Sequence, residues 1–320
     1  MKKRIHKTLL LTLTCFLFTC IPGTAFWSTR VQATAEESLL IFSSGSVPNA
    51  MPIQTETIEG VMIEIPLHAN DLDSNTITFT IDKAPKKGVA LIENDILVYT
   101  PADGKTGTDQ FSYCALDPLG NCSEPAQVKV KIQKNKSELT YADMLQNPSH
   151  LAAIRLHESD IITGEKIGSS YFFHPNDTVT RGEFLAMAVA AGGYDLYHTD
   201  RTDFMDDDAI SSWAKPYIST AACNGLVQGY RAVNGASEIR AGNFITLDEA
   251  SSIICSLIKP YLDDPIAASV DTGSTHWAAA ANTILDAVDI LPSTHMKSGS
   301  EPITRQTACD LIYSALKIMQ

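Results

Sequence analysis

Positive charge is scarce in this 320-residue chain. Lys and Arg total 24 against 37 Asp and Glu, a net charge of −13 at pH 7. That balance argues against nonspecific nucleic-acid binding, which depends on neutralising phosphates. It also means that an anionic ligand must be held by local contacts against a repulsive long-range field. Catalytic signatures are missing too. There is no Gly-x-Ser-x-Gly, no His-Glu-x-x-His and no phosphate loop; Gly164-Glu165-Lys166-Ile167-Gly168 lacks the spacing and the following Lys-Ser/Thr. The eight histidines are scattered, and no spacing suits zinc. Neither catalysis nor a cofactor is expected.

Long apolar runs are absent beyond the first 35 residues. Residues 1–35 read as a secretory signal: Lys2, Lys3, Arg4 and Lys7 precede an apolar stretch at 9–21, and small residues offer cleavage after Ala33 or Ala35. A lipoprotein at Cys20 is disfavoured, because Phe18-Thr19 lacks the small residue such a signal wants. The expected protein is exported, has no membrane span after cleavage, and stays at the surface only if it binds something there. Cysteines number seven. Cys15 and Cys20 fall in the signal. Cys114 and Cys122 flank a hairpin-like connection and suit a disulfide in an oxidising compartment. Cys223, Cys255 and Cys309 lie in apolar helical contexts and read as buried thiols.

Residues 36–51 read as a linker, with Ser43, Ser44, Gly45, Ser46 and Pro48. From 52 to 133 apolar residues alternate with polar ones, as at Val61, Ile63 and Ile65, at Ile77, Phe79 and Ile81, and at Val128, Val130 and Ile132. Turn residues fall at 71–74, 85–88, 94–95 and 118–120. About seven short strands at this spacing predict an all-β sandwich. Pro66-Leu67-His68-Ala69-Asn70-Asp71-Leu72-Asp73, Pro85-Lys86-Lys87-Gly88, Tyr99-Thr100-Pro101 and Gly107-Thr108-Asp109-Gln110-Phe111-Ser112-Tyr113 resemble bacterial Ig-like, cadherin-like repeats of surface proteins. The resemblance implies a spacer or adhesive module. Asn70, Asp71 and Asp73, with Asp117, offer oxygens to calcium; the alternative is that Asn70 and Asp71 form Asx turns.

Beyond the polar join near 134–137 the period changes. Thr180-Arg181-Gly182-Glu183 is a capping box, in which the Thr hydroxyl takes the N3 amide and the Glu reaches back. It recurs as Thr246-Leu247-Asp248-Glu249, and its Thr-Arg start recurs as Thr304-Arg305-Gln306-Thr307. Asp160-Ile161-Ile162-Thr163-Gly164 aligns with Gly225-Leu226-Val227-Gln228-Gly229 and with Asp289-Ile290-Leu291-Pro292-Ser293, 65 and 64 residues apart; Trp213-Ala214 and Trp277-Ala278 are again 64 apart. Three ordered units make an internal repeat, at 138–200, 201–263 and 264–320. Helices are expected at 150–159, 180–192, 214–224, 246–259, 277–288 and 304–318. Asp143, Asp206 and Asp271 precede the first helix of each unit.

These landmarks resemble the S-layer homology domain. The resemblance implies an all-α pseudo-trimer whose grooves bind secondary cell-wall polymer, often through a pyruvylated sugar, on a Gram-positive-type surface. Arg181 and Arg305 would clamp the ketal carboxylate, since a guanidinium fork matches a carboxylate. Thr180 and free amides at the helix start would add donors. Gly164 and Gly229 would let the backbone approach the sugar, and Trp213 and Trp277 would line the grooves unless they pack in the core. Departures are clear: Pro148 replaces a Trp, Leu247 an Arg, Ser293 a Gly and Thr307 a Glu. The site around Arg181 is the most complete. The expected function is noncovalent wall anchoring with the sandwich as spacer; the alternative is a surface adhesion or assembly protein whose sandwich binds a partner.

Overall fold

The computed structural model describes residues 45–74, 76–231, 235–262, 275–291 and 299–320. The expected signal, the linker up to residue 44, Cys15, Cys20, Asp271, Pro292 and Ser293 lie outside the described residues.

The alternating segment folds as two packed sheets. One has the strand order β2 (Ile53–Ile58), β9 (Ala126–Gln133), β8 (Gly107–Leu116), β5 (Thr78–Lys83); the other has β3 (Ile63–Pro66), β7 (Ile96–Pro101), β6 (Gly88–Glu93). A further short pair joins β1 (Asn49–Ala50) to β4 (Ala69–Asn70). The period-two pattern is the cause. In β9, Ala126, Val128, Val130 and Ile132 are buried while Lys129 and Lys131 face solvent, because successive side chains leave a strand on opposite faces. Asn94 and Asp95 both take positive φ, 50° and 64°, in the two-residue turn from β6 to β7. Asn and Asp tolerate that conformation, which a twisted hairpin needs. β2 runs parallel to β9, whereas β5 and β9 both run antiparallel to β8.

The sandwich core is pinned by a carboxylate. Asp109 is buried and accepts hydrogen bonds from the amides of Lys86 (3.0 Å), Lys87 (2.7 Å) and Gln110 (3.0 Å) and from the Tyr99 hydroxyl (2.9 Å). Burial works against its ionisation, but these donors prevail and hold its carboxyl below the usual range. Tyr99 also stacks on Phe111 at 5.4 Å.

Among the described residues six α-helices follow: α1 (His150–Glu158), α2 (Arg181–Ala191), α3 (Lys215–Cys223), α4 (Leu247–Ile258), α5 (Ala279–Ala287) and α6 (Arg305–Met319). Each lies within two residues of its expected span. This part is not purely helical, because short hairpins separate the paired helices: β10 (Glu165–Ile167) with β11 (Ser170–Phe172), and β12 (Tyr230–Arg231) with β13 (Ser237–Glu238). Among the described residues no helix is long and apolar enough to cross a membrane.

The three capping-box segments meet in a closed ring. Val179 N–H donates to Ile303 O (3.2 Å), Ile303 N–H to Ile245 O (2.9 Å) and Ile245 N–H to Val179 O (3.0 Å). Each segment thus satisfies the next through buried backbone. The Asp residues ahead of the first helices also have a structural use. Asp143 accepts from the amides of Phe173 and His174, and Asp206 from those of Ile239 and Arg240. His174 and Arg240 sit at positive φ, 58° and 55°, so each carboxylate fixes a loop that backbone preference alone would not hold.

Candidate functional site

The helix starts are built as the capping boxes require. Thr180 Oγ1 accepts from Glu183 N–H (3.3 Å) while Glu183 Oε2 accepts from Thr180 N–H (2.8 Å); Thr246 and Glu249 do the same at 3.4 and 3.0 Å. In the third unit Thr304 caps Thr307 N–H at 3.2 Å, with no Glu to reach back. The expected free amides are not there. Arg181 and Gly182 donate to Asn243 O and Ala241 O, Leu247 and Asp248 to Glu301 O and Gly299 O, and Arg305 and Gln306 to Asp177 O and Pro175 O. The first-turn donors of each helix are consumed by the loop of a neighbouring unit, so they are not a ready anion site. The Thr180 hydroxyl is likewise engaged with Glu183, as acceptor from its amide and donor to its carboxylate.

Arg181 departs furthest from expectation. It is only 7% exposed. Its Nη1 lies 3.0 Å from Glu249 Oε1 and donates to Tyr230 Oη at 3.2 Å, and its guanidinium sits 4.9 Å from the Tyr230 ring centre. The expected open fork is therefore closed on a carboxylate of the same chain. A buried cation must find a counter-charge, and the capping-box Glu of the next unit supplies it. Burial pulls the Arg181 guanidinium down from its ordinary value, with Glu249 acting in the opposite direction. Arg240 stacks on the same Tyr230 ring at 4.5 Å and pairs with Glu238 at 3.1 Å.

Arg305 differs. It is half-buried over the Phe173 ring (5.0 Å), and donates from Nε to Phe173 O (2.9 Å) and from Nη2 to Thr163 O (3.1 Å). Both acceptors are neutral carbonyls. Among the described residues no carboxylate pairs with Arg305, whereas Arg181 is paired with Glu249. At the second unit Leu247 is buried, and the next residue, Asp248, turns the polarity over: its Oδ1 accepts from Asn282 Nδ2 (2.8 Å) and its Oδ2 lies 3.5 Å from His276 Nε2.

The glycines serve the chain's own packing. A Cβ on Gly164 would stand 2.3 Å from Tyr141 Cε1, and one on Gly229, at φ +73°, would stand 2.7 Å from Glu238 O. The space beside each glycine's Cα, where a side chain would stand, is occupied by the chain's own atoms. Trp213 and Trp277 are 52% and 63% exposed; they do not pack in the core. Trp213 meets Tyr217 edge-on at 6.4 Å, and Trp277 lies 6.0 Å from His276.

In the sandwich, Asp71 Oδ1 accepts from Asp73 N–H at 3.4 Å, the Asx-turn alternative, and Asn70 belongs to β4. Asp117 is spent on the Asn121 amide and side chain, each at 2.7 Å. Among the described residues no three His, Cys, Asp or Glu side chains are grouped to hold a metal. Cys114 and Cys122 are free thiols, not the expected disulfide. The bridge pairing Leu116 with Cys122 brings them together, and burial, then the neighbouring Cys122, pushes the Cys114 thiol up to about 11. Cys309 is buried as expected; Cys255 is half-buried and Cys223 exposed.

The sequence missed Tyr230, Arg240, Asp248 and the second role of Glu249. Glu249 was visible only as a cap, and nothing local marks it as the partner of Arg181.

The fold defines an Ig-like sandwich followed by helices. Comparison with known proteins agrees on the first part: residues 46–131 match the family described as bacterial Ig domain. A curated relative, exoglucanase XynX of Acetivibrio thermocellus, is 30% identical over 96 residues, 29% of this chain. The chain spans 8% of that relative's length. Among solved structures, the SrpA adhesin of Streptococcus sanguinis is 14% identical, with 32% of this chain and 63% of the adhesin covered and a TM-score of 0.25. Fibronectin(III)-like modules of Clostridium thermocellum CbhA are 17% identical, with 28% and 48% covered and a TM-score of 0.21. Likenesses at that level carry no functional argument.

Proposed function

We propose that this is an exported surface protein held noncovalently to the cell wall by its helical repeats, with the Ig-like sandwich as a displayed spacer. The reading rests on the resemblance of the repeats to S-layer homology domains, which implies a secondary cell-wall polymer bearing a pyruvylated sugar. One observation carries it: Arg305 is oriented by two backbone carbonyls and has no carboxylate partner among the described residues. A guanidinium so held offers its charge to an incoming carboxylate. Trp213 and Trp277, at equivalent positions of successive units and both over half exposed, offer apolar faces to sugar rings. Arg181 has a structural part in this account. The role is binding, without catalysis or cofactor.

Cosedimentation with purified wall sacculi tests it. Arg305→Ala lowers the bound fraction about tenfold, the worth of one charged hydrogen bond to a carboxylate, and removal of pyruvyl groups from the polymer does the same. Undiminished binding by a folded Arg305→Ala protein would remove the proposal's support. A second reading, adhesion through the sandwich, is favoured by Val89 and Leu91, 62% and 55% exposed on the edge strand β6. Loss of surface attachment on Leu91→Lys alone would favour it.

A further inference from the structure

Six lysines and no arginine lie between Val47 and Gln133, amid a larger number of acids. Five of the six gather on one side of the sandwich. Lys129 and Lys131 leave β9 on the solvent face of the four-stranded sheet, opposite Gln110 and Thr108 of β8. Lys83 closes β5 opposite Ser112, and Lys86 and Lys87 follow in the turn to β6. A furrow of about 300 Å³ is lined by Lys83, Lys86, Lys87, Thr108, Asp109 and Gln110. A cleft of about 1160 Å³ between this sheet and helices α1 and α6 includes Lys129, Lys131 and Thr108. Thr108 lines both; the cleft also holds Arg155, Lys317 and five acids, so the lysine row belongs to the sheet face and the furrow beside it.

The acids on the sheet face itself, Asp109, Asp82 and Glu56, are engaged. Asp109 is turned inward and spent on three amides and the Tyr99 hydroxyl. Asp82 accepts from the Ser112 hydroxyl at 2.7 Å. Glu56 accepts from Gln133 Nε2 at 2.7 Å and lies 4.0 Å from both Lys131 and Arg155. Glu64 of β3, with Glu158, Asp289 and Asp310 of the helical part, also lines the cleft. Four of the five lysines are exposed; Lys87 is half-buried and donates to Thr106 O at 2.7 Å.

We infer that this sheet face is a second anion-binding surface, and that its ligand is a linear polymer carrying phosphate. The choice of residue decides the chemistry. A planar carboxylate is best matched by the fork of Arg, which the sandwich lacks; Lys meets phosphate as a point charge with rotatable donors. Residues two apart on one strand repeat at about 6.7 Å and neighbouring strands at about 4.8 Å, so Lys129 and Lys131 present a row rather than a point. Because the whole chain is acidic, attraction acts only at short range and binding weakens steeply with salt. The surface is independent of the helical sites and does not rest on the proposed wall anchoring.

The test uses the full chain and linear inorganic polyphosphate, with polygalacturonate as a carboxylate polymer and single-stranded DNA as a phosphodiester of another kind. Lys129→Gln/Lys131→Gln and Lys83→Gln/Lys86→Gln change exposed side chains, and unchanged melting verifies the fold. Each pair is expected to weaken polyphosphate binding about five- to tenfold and to flatten the log–log salt slope by about 1.4, the share of two single-strand phosphate contacts. Arg305→Ala should leave it untouched, which separates this site from wall anchoring. Equal binding to polygalacturonate, tighter binding to DNA, or unaltered binding by both lysine pairs would each overturn the inference.

Discussion

Arg181 Nη1 stands 3.0 Å from Glu249 Oε1, and the other oxygen of that Glu caps its own helix through Thr246 N–H. One carboxylate therefore closes the second capping box and neutralises the first unit's arginine. Arg181→Leu, which installs the residue found at Leu247, should destabilise by about 3 kcal/mol, because it leaves a buried charge without its partner. Glu249→Gln should also destabilise, and the double variant by clearly less than the sum. Urea denaturation of the four proteins checks this; additive losses would mean that the pair is not coupled.

Asp310 gives the fold a pH signature. Burial raises its carboxyl to about 6, with the Ser149 hydroxyl at 2.7 Å acting the other way. The folded value lies above the roughly 3.9 of an unfolded Asp, so folding takes up a proton between the two. The stability this contributes is present below about pH 4 and is lost as pH rises through 6. Asp310→Asn should therefore raise the melting temperature at pH 7.5 and leave it nearly unchanged at pH 4, as thermal scans at the two values would read.

The third capping box is half built. Thr304 caps Thr307 N–H, but among the described residues no acid returns to Thr304 N–H. Thr307→Glu should close it and add a few tenths to about 1 kcal/mol, while Thr246→Ala should cost about 1 kcal/mol. Chemical denaturation at neutral pH distinguishes gain from loss.

Most of the architecture was legible because its causes are local. Alternation in β9 and the Thr-x-x-Glu signals need only a few neighbouring residues, and the helices fell where those signals put them. The site was less legible. Arg181 and Arg305 carry the same Thr-Arg signature, yet one is neutralised by Glu249 and the other is held by Phe173 O and Thr163 O. That difference depends on which neighbouring unit each meets. Gly164 and Gly229 are expected to approach a sugar; the groups that stand against them within the chain are Tyr141, Phe172 O, Glu238 O and Phe204, which no spacing rule names.

Gly229 should accordingly resist substitution whether or not a sugar binds. Gly229→Ala forces a Cβ into the left-handed region and against Glu238 O, and should destabilise by about 1–3 kcal/mol. Because the cause is internal, added wall polymer should not change the size of the loss. Melting with and without polymer would expose any dependence on the ligand.

The central claim is that Arg305, which has no carboxylate partner among the described residues, and not the buried Arg181, takes the acidic group of a wall polymer. Cosedimentation of wild type, Arg305→Ala and Arg181→Leu with sacculi tests it most directly, with each bound fraction normalised to folded protein. The account predicts a roughly tenfold loss for Arg305→Ala and near wild-type binding by the folded part of Arg181→Leu. The reverse order, or equal retention of all three, would contradict it.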